Sequence, residues 1–462
     1  MPRRLSLQAQ DYDHPAMSAG SGAGMRVEGP SVRLPGQALP VLSNASLELR
    51  PGEVVGVCGR SGCGKSTLLH AVAGLLPWSR PAEVQGTIAL GGENLGELDP
   101  GQRAHLLATC LDRPDAQLFL GMVRHELEAA RRLHGETPLA AVVAEALGLV
   151  PLLGRRVTEL SSGERQRLAL AVTLTGAPRP VLLDEPTVHL DEAGVAAFAR
   201  VLAEVRELGG SVLLAEQAGF RLGAAVDRWL GLEGGTLRPC PSPAPPALVR
   251  PASTPGEGVL EASNLRLVRG GRTLLERASL TVHAGEVVLL SGPNGAGKSS
   301  LARALAGHAA AAGGGLAVTE GRVHRPHDAA LLLPEAGVQL FAATVAGELA
   351  LAGVDALTAA GVLRRHRLEH LGGRAPWTLS RGEQQRLVHA AVQVLEPTVT
   401  IVDEPGQGLD PEDLVALAEL IARRAEGGSA YLIVSQRMEL AALAHRHLVI
   451  AEGALVDAGR SQ

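Results

Sequence analysis

Two lysines, Lys65 and Lys298, close two copies of the pattern Gly-x-x-x-x-Gly-Lys-Ser. Glycines at this spacing let the backbone turn its N–H groups inward around a phosphate, at the positive end of the helix that follows. The lysine then reaches the β- and γ-phosphate oxygens. We therefore expect two nucleotide-binding loops, formed by Gly59, Arg60, Ser61, Gly62, Cys63, Gly64, Lys65, Ser66 and Thr67 and by Gly292, Pro293, Asn294, Gly295, Ala296, Gly297, Lys298, Ser299 and Ser300.

Oxygen-bearing side chains that suit Mg²⁺ accompany each loop. Ser66 and Ser299 directly follow the lysines, and Asp184 and Asp403 end two apolar runs, PVLLD and TVTIVD. In phosphate-loop proteins, a hydroxyl of the loop and an aspartate at a strand end hold the Mg²⁺ that accompanies the nucleotide. The sequence predicts one such metal site in each copy.

A glutamate follows each of these aspartates. A carboxylate at Glu185 or Glu404 can polarise the water that attacks the γ-phosphate. The alternative is that Asp-Glu-Pro only ends a strand in a turn.

A third segment repeats in the same order, as LSSGERQR at 160–167 and LSRGEQQR at 379–386. The separations from segment to aspartate are equal, because 184 − 161 and 403 − 380 are both 23. The chain is therefore an internal duplication. Its parts are predicted as a disordered tail at 1–25, a first domain at 26–238, a Pro-rich linker at 239–258 and a second domain at 259–462.

The pattern of apolar residues predicts the strands and helices around these motifs. Apolar runs at 53–59 and 286–292 lead into the loops, and segments with apolar residues at helical spacing follow the lysines. Strand, glycine-rich turn and helix are the context that a phosphate loop needs. The near-continuous apolar runs at 180–185, 211–217, 398–404 and 430–436 are typical of buried parallel strands. Each half is therefore predicted to be α/β.

Composition excludes several classes of protein. The net charge of −5 argues against binding nucleic acid through a broad basic face. None of the four cysteines has metal-ligand spacing, so we expect reduced thiols. The sequence contains no run of 18 or more uncharged apolar residues, so we expect no membrane span. The first residues lack the apolar core of a signal peptide.

The chain resembles the ATP-binding-cassette family. The resemblance rests on the Gly-Lys-Ser loops, the LSSGE and LSRGE segments and the Asp-Glu pairs. The resemblance covers both halves and implies ATP and Mg²⁺ as cofactors. It also implies a parallel-sheet core, a helical subdomain carrying the LSSGE-like signature, and an antiparallel β flank in each half.

The resemblance further implies that the halves pair head to tail, so that each ATP lies between one loop and the other half's signature. The signature residues are Ser161, Ser162, Gly163 and Glu164, and Ser380, Arg381, Gly382 and Glu383. Asp191 and Asp410, after the strands, would communicate between the sites.

Three family features are changed. The family's Q-loop glutamine corresponds to Asp112 in the first copy and to Glu335 or Pro334 in the second. The switch histidine, which the resemblance places in the catalytic set, is replaced by Gln217 and Gln436. Glutamine can hydrogen-bond a phosphate, but it cannot carry a charge or shuttle a proton. The aromatic residue that stacks on adenine is also missing, and its neighbourhood holds Leu34 in the first copy and Val268 or Arg269 in the second.

Two segments, at 112–127 and 334–349, contain Gln-Leu-Phe, then Val, then Glu-Leu. This pattern is similar to the ATPase pair of energy-coupling-factor importers. The resemblance implies a peripheral protein at the cytoplasmic face of the membrane, bound to an integral-membrane scaffold and a substrate-binding membrane subunit, without nucleic acid. Phe119 and Phe341 would face the scaffold; the alternative is that they fill the core.

Two other functions remain open from the sequence. One is a tandem cassette protein that acts on ribosomes or nucleic acid, although such proteins usually have a long, charged helical linker. The other is a regulatory dimer that closes on ATP and hardly hydrolyses it, an alternative that the two glutamines keep open.

We expect the double variant Glu185→Gln, Glu404→Gln to lose ATP turnover, because a carboxylate that polarises water contributes roughly 10²–10⁴ in rate. Steady-state phosphate release from the purified chain measures this. Turnover that equals the unmodified chain would show that these glutamates are not the catalytic groups.

Overall fold

The structure is a computed structural model, and it describes residues 24–37, 39–112, 116–135, 137–177, 179–309, 315–406 and 409–459. The predicted tail lies outside these ranges except for its last two residues. Met25, placed in the tail by the sequence, instead begins a strand and is fully buried. The folded chain therefore starts within the predicted tail.

The first half extends to residue 240. Its strands are β1 (Met25–Arg33), β2 (Leu47–Leu49), β3 (Val54–Cys58), β4 (Glu83–Leu90), β5 (Glu93–Asn94), β6 (Ala108–Cys110), β7 (Val181–Asp184), β8 (Val212–Ala215), β9 (Arg228–Glu233) and β10 (Thr236–Cys240). Its helices are α1 (Lys65–Val72), α2 (Pro100–Ala104), α3 (Val123–His134), α4 (Pro138–Ala146), α5 (Ser162–Leu174) and α6 (Glu192–Glu207).

The second half begins at residue 258. Its strands are β11 (Gly258–Arg269), β12 (Arg272–His283), β13 (Val287–Ser291), β14 (Ala317–His324), β15 (Ala330–Leu332), β16 (Val399–Asp403), β17 (Ala430–Val434), β18 (Arg446–Ala451) and β19 (Ala454–Asp457). Its helices are α7 (Lys298–Leu305), α8 (Val345–Leu351), α9 (Ala356–Arg365), α10 (Arg381–Val394) and α11 (Pro411–Glu426).

A mostly parallel sheet forms the core of each half. The strand orders are β10-β9-β3-β8-β7-β6 and β15-β16-β17-β13-β18-β19, with only β10 and β19 antiparallel to their neighbours. The central strands are buried on both faces, as their continuous apolar sequences predict. Parallel strands end at one edge of a sheet, so the phosphate loops after β3 and β13 lie at the same edges as Asp184 and Asp403.

The remaining layers match the predicted division. An antiparallel flank, ordered β2-β1-β4-β5 in the first half and β12-β11-β14 in the second, packs against α1 and α7. In the first half, α3, α4 and α5 pack against one another, and α8, α9 and α10 do so in the second. The α5 and α10 helices begin within the signatures. The predicted fold class is confirmed.

The linker is shorter and more firmly attached than the sequence predicts. Cys240 still belongs to β10 and Gly258 already belongs to β11, so regular structure is missing only at 241–257. Pro251 is buried, and Leu248 packs against the core of the second half, contrary to the expectation of a linker outside any core. The prediction failed here because these contacts are made with residues far away in the sequence.

His445 anchors the linker. The Val287 N–H donates to its Nδ1 at 3.0 Å, so the ring proton lies on Nε2, which donates to the Ser253 carbonyl at 3.0 Å. The Ser253 hydroxyl also donates to the Gly285 carbonyl at 2.8 Å. A neutral imidazole thereby joins β13 to the linker.

Among the described residues, no single helix is long and apolar enough to cross a membrane. The consecutive helices α8 and α9, bent by 119° at their junction, pass that test as a pair by length and composition only. Their apolar side chains Val345, Leu349 and Val362 are buried in a core cluster of the second half.

We expect His445→Ala to accelerate cleavage of the linker by elastase roughly fivefold, because the linker then loses its hydrogen bond to this ring, which contributes roughly 1 kcal/mol. The initial rate of cleavage in 241–257, followed by mass spectrometry, measures the effect. His447→Ala is the matched control, since His447 bonds Ser291 and not the linker. Equal rates for the two variants would contradict the anchoring role.

Candidate active sites

Both phosphate loops are held by their own lysines. Lys65 Nζ donates to the carbonyls of Gly59 at 2.8 Å and Arg60 at 3.2 Å, and Lys298 Nζ donates to Gly292 at 2.7 Å and Pro293 at 3.0 Å. Both lysines are buried. Burial lowers the pKa of Lys298, while the nearby Glu404, Asp191 and Asp403 raise it. An ammonium group in this position faces the space where phosphates would lie.

The first glycine of each loop is required by close packing as well as by conformation. Gly59 and Gly292 have φ of 152° and 144°. A Cβ would lie 2.7 Å from the Leu232 carbonyl oxygen at Gly59, and 2.7 Å from the Ile450 carbonyl oxygen at Gly292. A backbone oxygen cannot move aside, so only glycine fits at these two turns.

The predicted Mg²⁺ groups lie at the edge of each sheet. The Ser299 hydroxyl donates to Asp403 Oδ1 at 3.0 Å. Burial raises the pKa of Asp184 to about 6, with Ser66 acting in the opposite direction. Among the described residues, both carboxylate oxygens of Asp184 and Oδ2 of Asp403 are buried without a hydrogen-bond partner.

Buried oxygens without partners fit a hard cation such as Mg²⁺. The described residues contain no cluster of three or more His, Cys, Asp or Glu side chains that could hold a metal alone. A Mg²⁺ held by one hydroxyl and one carboxylate would complete its shell with phosphate oxygens and water. Its chemistry there would be to neutralise charge on the phosphates.

The two glutamates have unusual backbones and are partly buried. Glu185 and Glu404 have φ of 49° and 51°, a conformation that non-glycine residues rarely adopt. Burial raises the pKa of Glu404 to about 7, opposed by Lys298. Burial raises the pKa of Glu185 well above its usual value, and the neighbouring Glu216 raises it further. Strained, buried carboxylates at a strand end are typical of catalytic positions.

Glu216 distinguishes the two sites and was missed from the sequence. It accepts a hydrogen bond from the Thr187 N–H at 2.8 Å and is fully buried, whereas the equivalent Ser435 donates its hydroxyl proton to Glu404 Oε2 at 3.0 Å. The signal was the difference between AEQ and VSQ at the ends of the equivalent strands. The first glutamate therefore faces a second carboxyl group and the other faces a hydroxyl.

The two glutamines also differ in their contacts. The Gln217 N–H donates to Glu185 Oε2 at 3.3 Å, and its side-chain oxygen is buried without a partner in the described part of the chain. Gln436 Nε2 donates to the side-chain oxygen of Asn294, in the phosphate loop of its own half. The backbone of each glutamine thus lies beside the glutamate of the same half, Glu185 or Glu404.

The halves meet head to tail through two aspartates. Asp191 Oδ2 accepts from the Asn294 N–H at 3.4 Å, and Asp410 Oδ2 accepts from the Ser61 N–H at 2.8 Å. The Asn294 side chain also donates to the His189 carbonyl at 3.4 Å. Each loop is thus bonded to the segment that follows the catalytic glutamate of the opposite half.

The signatures begin helices close to the opposite loops. The hydroxyls of Ser161 and Ser380 accept from the N–H of Glu164 and Glu383, whose carboxylates accept in return from the serine N–H groups. A Cβ at Gly163 would lie 2.4 Å from Asn294 Nδ2, so this glycine allows the halves to approach.

Two cavities lie where the predicted composite sites should be. Site 1, about 380 Å³, is lined by Lys65, Ser66 and Glu185 of the first half and by Arg381 of the second. Site 2, about 500 Å³, contains Lys298, Ser299 and Glu404 together with Ser161 and Ser162 of the first half. Loop and opposite signature are brought together in both cavities. Gly163, Glu164, Ser380, Gly382 and Glu383 do not line them but shape the helix starts.

The structure also resolves the register of the two Q-loop segments. The Gln117 side chain bonds Leu111 N–H and the Thr109 carbonyl, and the Gln339 side chain bonds Leu333 N–H and the Leu331 carbonyl in the same way. Asp112 therefore corresponds to Pro334, and no one-residue gap is needed. Asp112 lines site 1, and Pro334 lines site 2.

Among the described residues that line the two cavities there is no Phe, Tyr or Trp that could stack on adenine. Leu34 and Val41 line site 1, and Arg269, Arg272 and Leu274 line site 2. Of the two residues considered for the second copy, Arg269 is the one that reaches the cavity. A guanidinium can stack on a base through its planar face.

This geometry defines a nucleoside triphosphatase with two composite sites, and residues 42–188 and 275–407 match the family model described as ABC transporter. Because these ranges exceed half of the 462 residues, the chain belongs to the ABC transporter family. It is an ATP-binding ATPase whose tandem cassettes pair within one chain.

Similar proteins have related names. A "Putative ABC transporter ATP-binding protein" of Streptomyces avermitilis is 30% identical, with 94% of this chain and 93% of that protein covered. A protein of the same name from Treponema denticola is 27% identical, covering 90% and 93%. The "Putative HMP/thiamine import ATP-binding protein YkoD" of Bacillus subtilis is 27% identical, covering 87% and 85%.

Solved structures share the fold. The structure called RNase-L Inhibitor has a TM-score of 0.68 and 23% identity, covering 93% of this chain and 90% of that one. The archaeal ribosome recycling factor aABCE1, solved with the ribosomal stalk protein aP1, has a TM-score of 0.68 and 22% identity with the same coverage. At this identity the likeness shows the fold alone.

In the Glu185→Gln background, where only site 2 turns over, we expect kcat/KM to rise with pH and reach half its maximum near pH 7. The reason is that Glu404, with a pKa of about 7, polarises water only as the carboxylate, and kcat/KM follows the free enzyme. A phosphate-release assay between pH 5.5 and 9 measures the profile.

The matched control is the Glu404→Gln background, which reports site 1. In this background we expect kcat/KM to rise at a higher pH than at site 2, because Glu216 raises the pKa of Glu185. The substitution Glu216→Ser, which copies Ser435 of the second half, should shift this rise to lower pH. A site-2 profile that stays flat between pH 6 and 8 would contradict the assignment of Glu404.

Proposed function

We propose that this chain is the ATP-hydrolysing motor subunit of a membrane importer of the energy-coupling-factor type. In this proposal it lies at the cytoplasmic face of the membrane. It binds an integral-membrane scaffold that works with a substrate-binding membrane subunit, uses Mg²⁺ with ATP, and does not bind nucleic acid. The observation that carries the proposal is the exposure of one phenylalanine at the same position in each half.

Phe119 and Phe341 are 80% and 78% exposed. The alternative that they fill the core is therefore wrong. The chain has only four phenylalanines, and a large apolar side chain is rarely left in water without a binding role when it belongs to a wider apolar surface.

Buried glutamates hold the loops that carry the two phenylalanines. In the first half, buried Glu126 accepts from the Leu120 N–H at 2.5 Å. In the second, buried Glu348 accepts from the N–H groups of Phe341 and Ala342. The glutamates of the two Glu-Leu pairs thus fix the backbone while the rings point outward. A preformed loop binds a partner at a lower entropic cost than a loop that must first become ordered.

Other apolar residues near each phenylalanine in the sequence are also exposed to solvent. Leu120 is 48% and Leu133 66% exposed in the first half, and Val338 is 55% and Leu351 65% exposed in the second. A groove of about 280 Å³ in the first half is lined by Leu75, Leu111 and Leu133 among others. Apolar helices of a membrane scaffold have the chemistry to fill such surfaces.

Short connections join the sites to these loops. Asp112 and Pro334 line the two ATP cavities, and each exposed phenylalanine follows seven residues later. Between them, Gln117 and Gln339 tie the loops to the ends of β6 and β15. A movement that closes an ATP site is therefore carried over a short, hydrogen-bonded path to the proposed docking loops.

The import role also has support from the relative whose printed name is an HMP/thiamine import ATP-binding protein. The ribosome-associated alternative has support only from a shared fold. A substrate cannot be chosen from this chain, because in such importers the membrane subunit binds it.

We expect the double variant Phe119→Ser, Phe341→Ser to lose most of its capture of membrane proteins while its basal ATPase rate stays within about twofold. Buried aromatic anchors typically contribute about 2 kcal/mol or more to an interface, and these rings lie outside both cavities. A tagged pull-down from detergent-solubilised native membranes, read by mass spectrometry, measures capture.

The control is Val456→Ser, which changes an exposed apolar residue on β19. Capture of a multi-span scaffold by the control but not by the double variant would support the proposal. Ribosomal proteins in both samples, with no membrane protein, would overturn it in favour of the ribosome-associated alternative.

A further inference from the structure

The two ATP sites differ in one pair of charges that joins the halves. Arg381 Nη2 lies 3.7 Å from Asp112 Oδ2, across the boundary between the halves. Both residues line site 1, in the same cavity as Lys65, Ser66 and Thr67. The equivalent positions at site 2 are Ser162 and Pro334, which carry no charge.

The position of Arg381 suits phosphate binding. It is the first residue of α10, directly after Ser380, which caps that helix. Its guanidinium therefore lies at the positive end of a helix, opposite the lysine of the first loop. Arginine binds phosphate with two parallel hydrogen bonds, which the hydroxyl of a serine such as Ser162 cannot do.

The bond between Arg381 and Asp112 is easily exchanged. The two side chains are 51% and 40% exposed, and partly exposed ion pairs contribute little because water and salt screen them. A triphosphate in site 1 brings several negative charges to the same cavity. Asp112, in contrast, offers one carboxylate, and its negative charge repels the incoming phosphates.

We propose that Asp112 and Arg381 form an ionic latch at site 1 alone, in which Arg381 leaves Asp112 to bind the terminal phosphate of ATP supplied to the opposite loop. The latch occupies Arg381 before the nucleotide arrives and thereby sets the ATP affinity of this site. It rests on the ATP-site assignment and not on the importer role, and the test uses the purified chain without membranes.

The two partners of the latch have opposite expected effects. In the Glu404→Gln background, where only site 1 turns over, Arg381→Ser should lower kcat/KM for ATP roughly 10- to 100-fold, the usual loss for a hydrogen bond to a charged group. Asp112→Asn should instead lower KM several-fold, because it frees Arg381 and removes a repelling charge. Arg381→Lys should restore part of the loss, since it keeps the charge but not the paired hydrogen bonds.

Site 2 provides the internal control. In the Glu185→Gln background, both substitutions should leave kcat/KM within about twofold, because neither residue lines that cavity. Equilibrium binding of ATP to the double variant Glu185→Gln, Glu404→Gln gives a readout without turnover, in which Arg381→Ser should weaken one of two sites.

Three results would overturn the latch. One is an equal loss from Arg381→Ser and Asp112→Asn, which would mean that the ion pair only braces the halves. Another is an equal loss of kcat/KM at site 1 and at site 2 on the substitution Arg381→Ser. The third is unchanged ATP binding and turnover at site 1 in Arg381→Ser. Absence of ATP turnover in the unmodified chain would instead mean that the ATPase assignment itself is wrong.

Discussion

Two carboxylates, those of Asp191 and Asp410, hold the arrangement on which both active sites depend. One oxygen of each caps the helix that follows it, accepting from the Gly194 or Asp413 N–H at 2.8 Å, and the other binds a phosphate-loop N–H of the opposite half. A carboxylate at a helix start is favoured by the helix dipole, so its position is fixed before the halves meet. Because one rigid group makes both bonds, each loop is placed relative to the opposite half's strand end and signature.

The same frame carries two chemically different sites. In site 1 the catalytic glutamate faces the buried Glu216, while its counterpart in site 2 faces the hydroxyl of Ser435. Buried carboxyl groups that interact raise one another's pKa, so equivalent residues in equivalent backbones take up protons differently. Duplication therefore does not make the sites equal. The loop lysines and the capping serines of the signatures make matching contacts in both halves. The differences lie in Glu216, in Arg381 and in the contacts of the two glutamines.

The sequence predicts the parts of the structure whose spacing is set by local chemistry. The loops, the strands that end at Asp184 and Asp403, and the signature helix starts follow from glycine turns, apolar runs and capping residues. Three features could not be predicted because they depend on contacts between distant segments. The Q-loop register required the hydrogen bonds of Gln117 and Gln339, the attached linker required His445, and the exposure of the phenylalanines required knowledge of what covers each loop. In the sequence, an exposed phenylalanine and a core phenylalanine look alike.

The duplicated docking loops constrain the form of the partner. Phe119 and Phe341 occupy equivalent positions in two halves that face each other head to tail, so a partner that covers both must present two similar apolar elements. A single scaffold with two such elements would sense the separation of the loops, and in the proposed mechanism that separation would change when either ATP site opens or closes. One chain with two unequal sites could then deliver two unequal steps to one scaffold. The hydrogen bonds of Glu126 and Glu348 to the loop backbones favour this proposal, because a loop without such bonds would absorb the movement before it reached the partner.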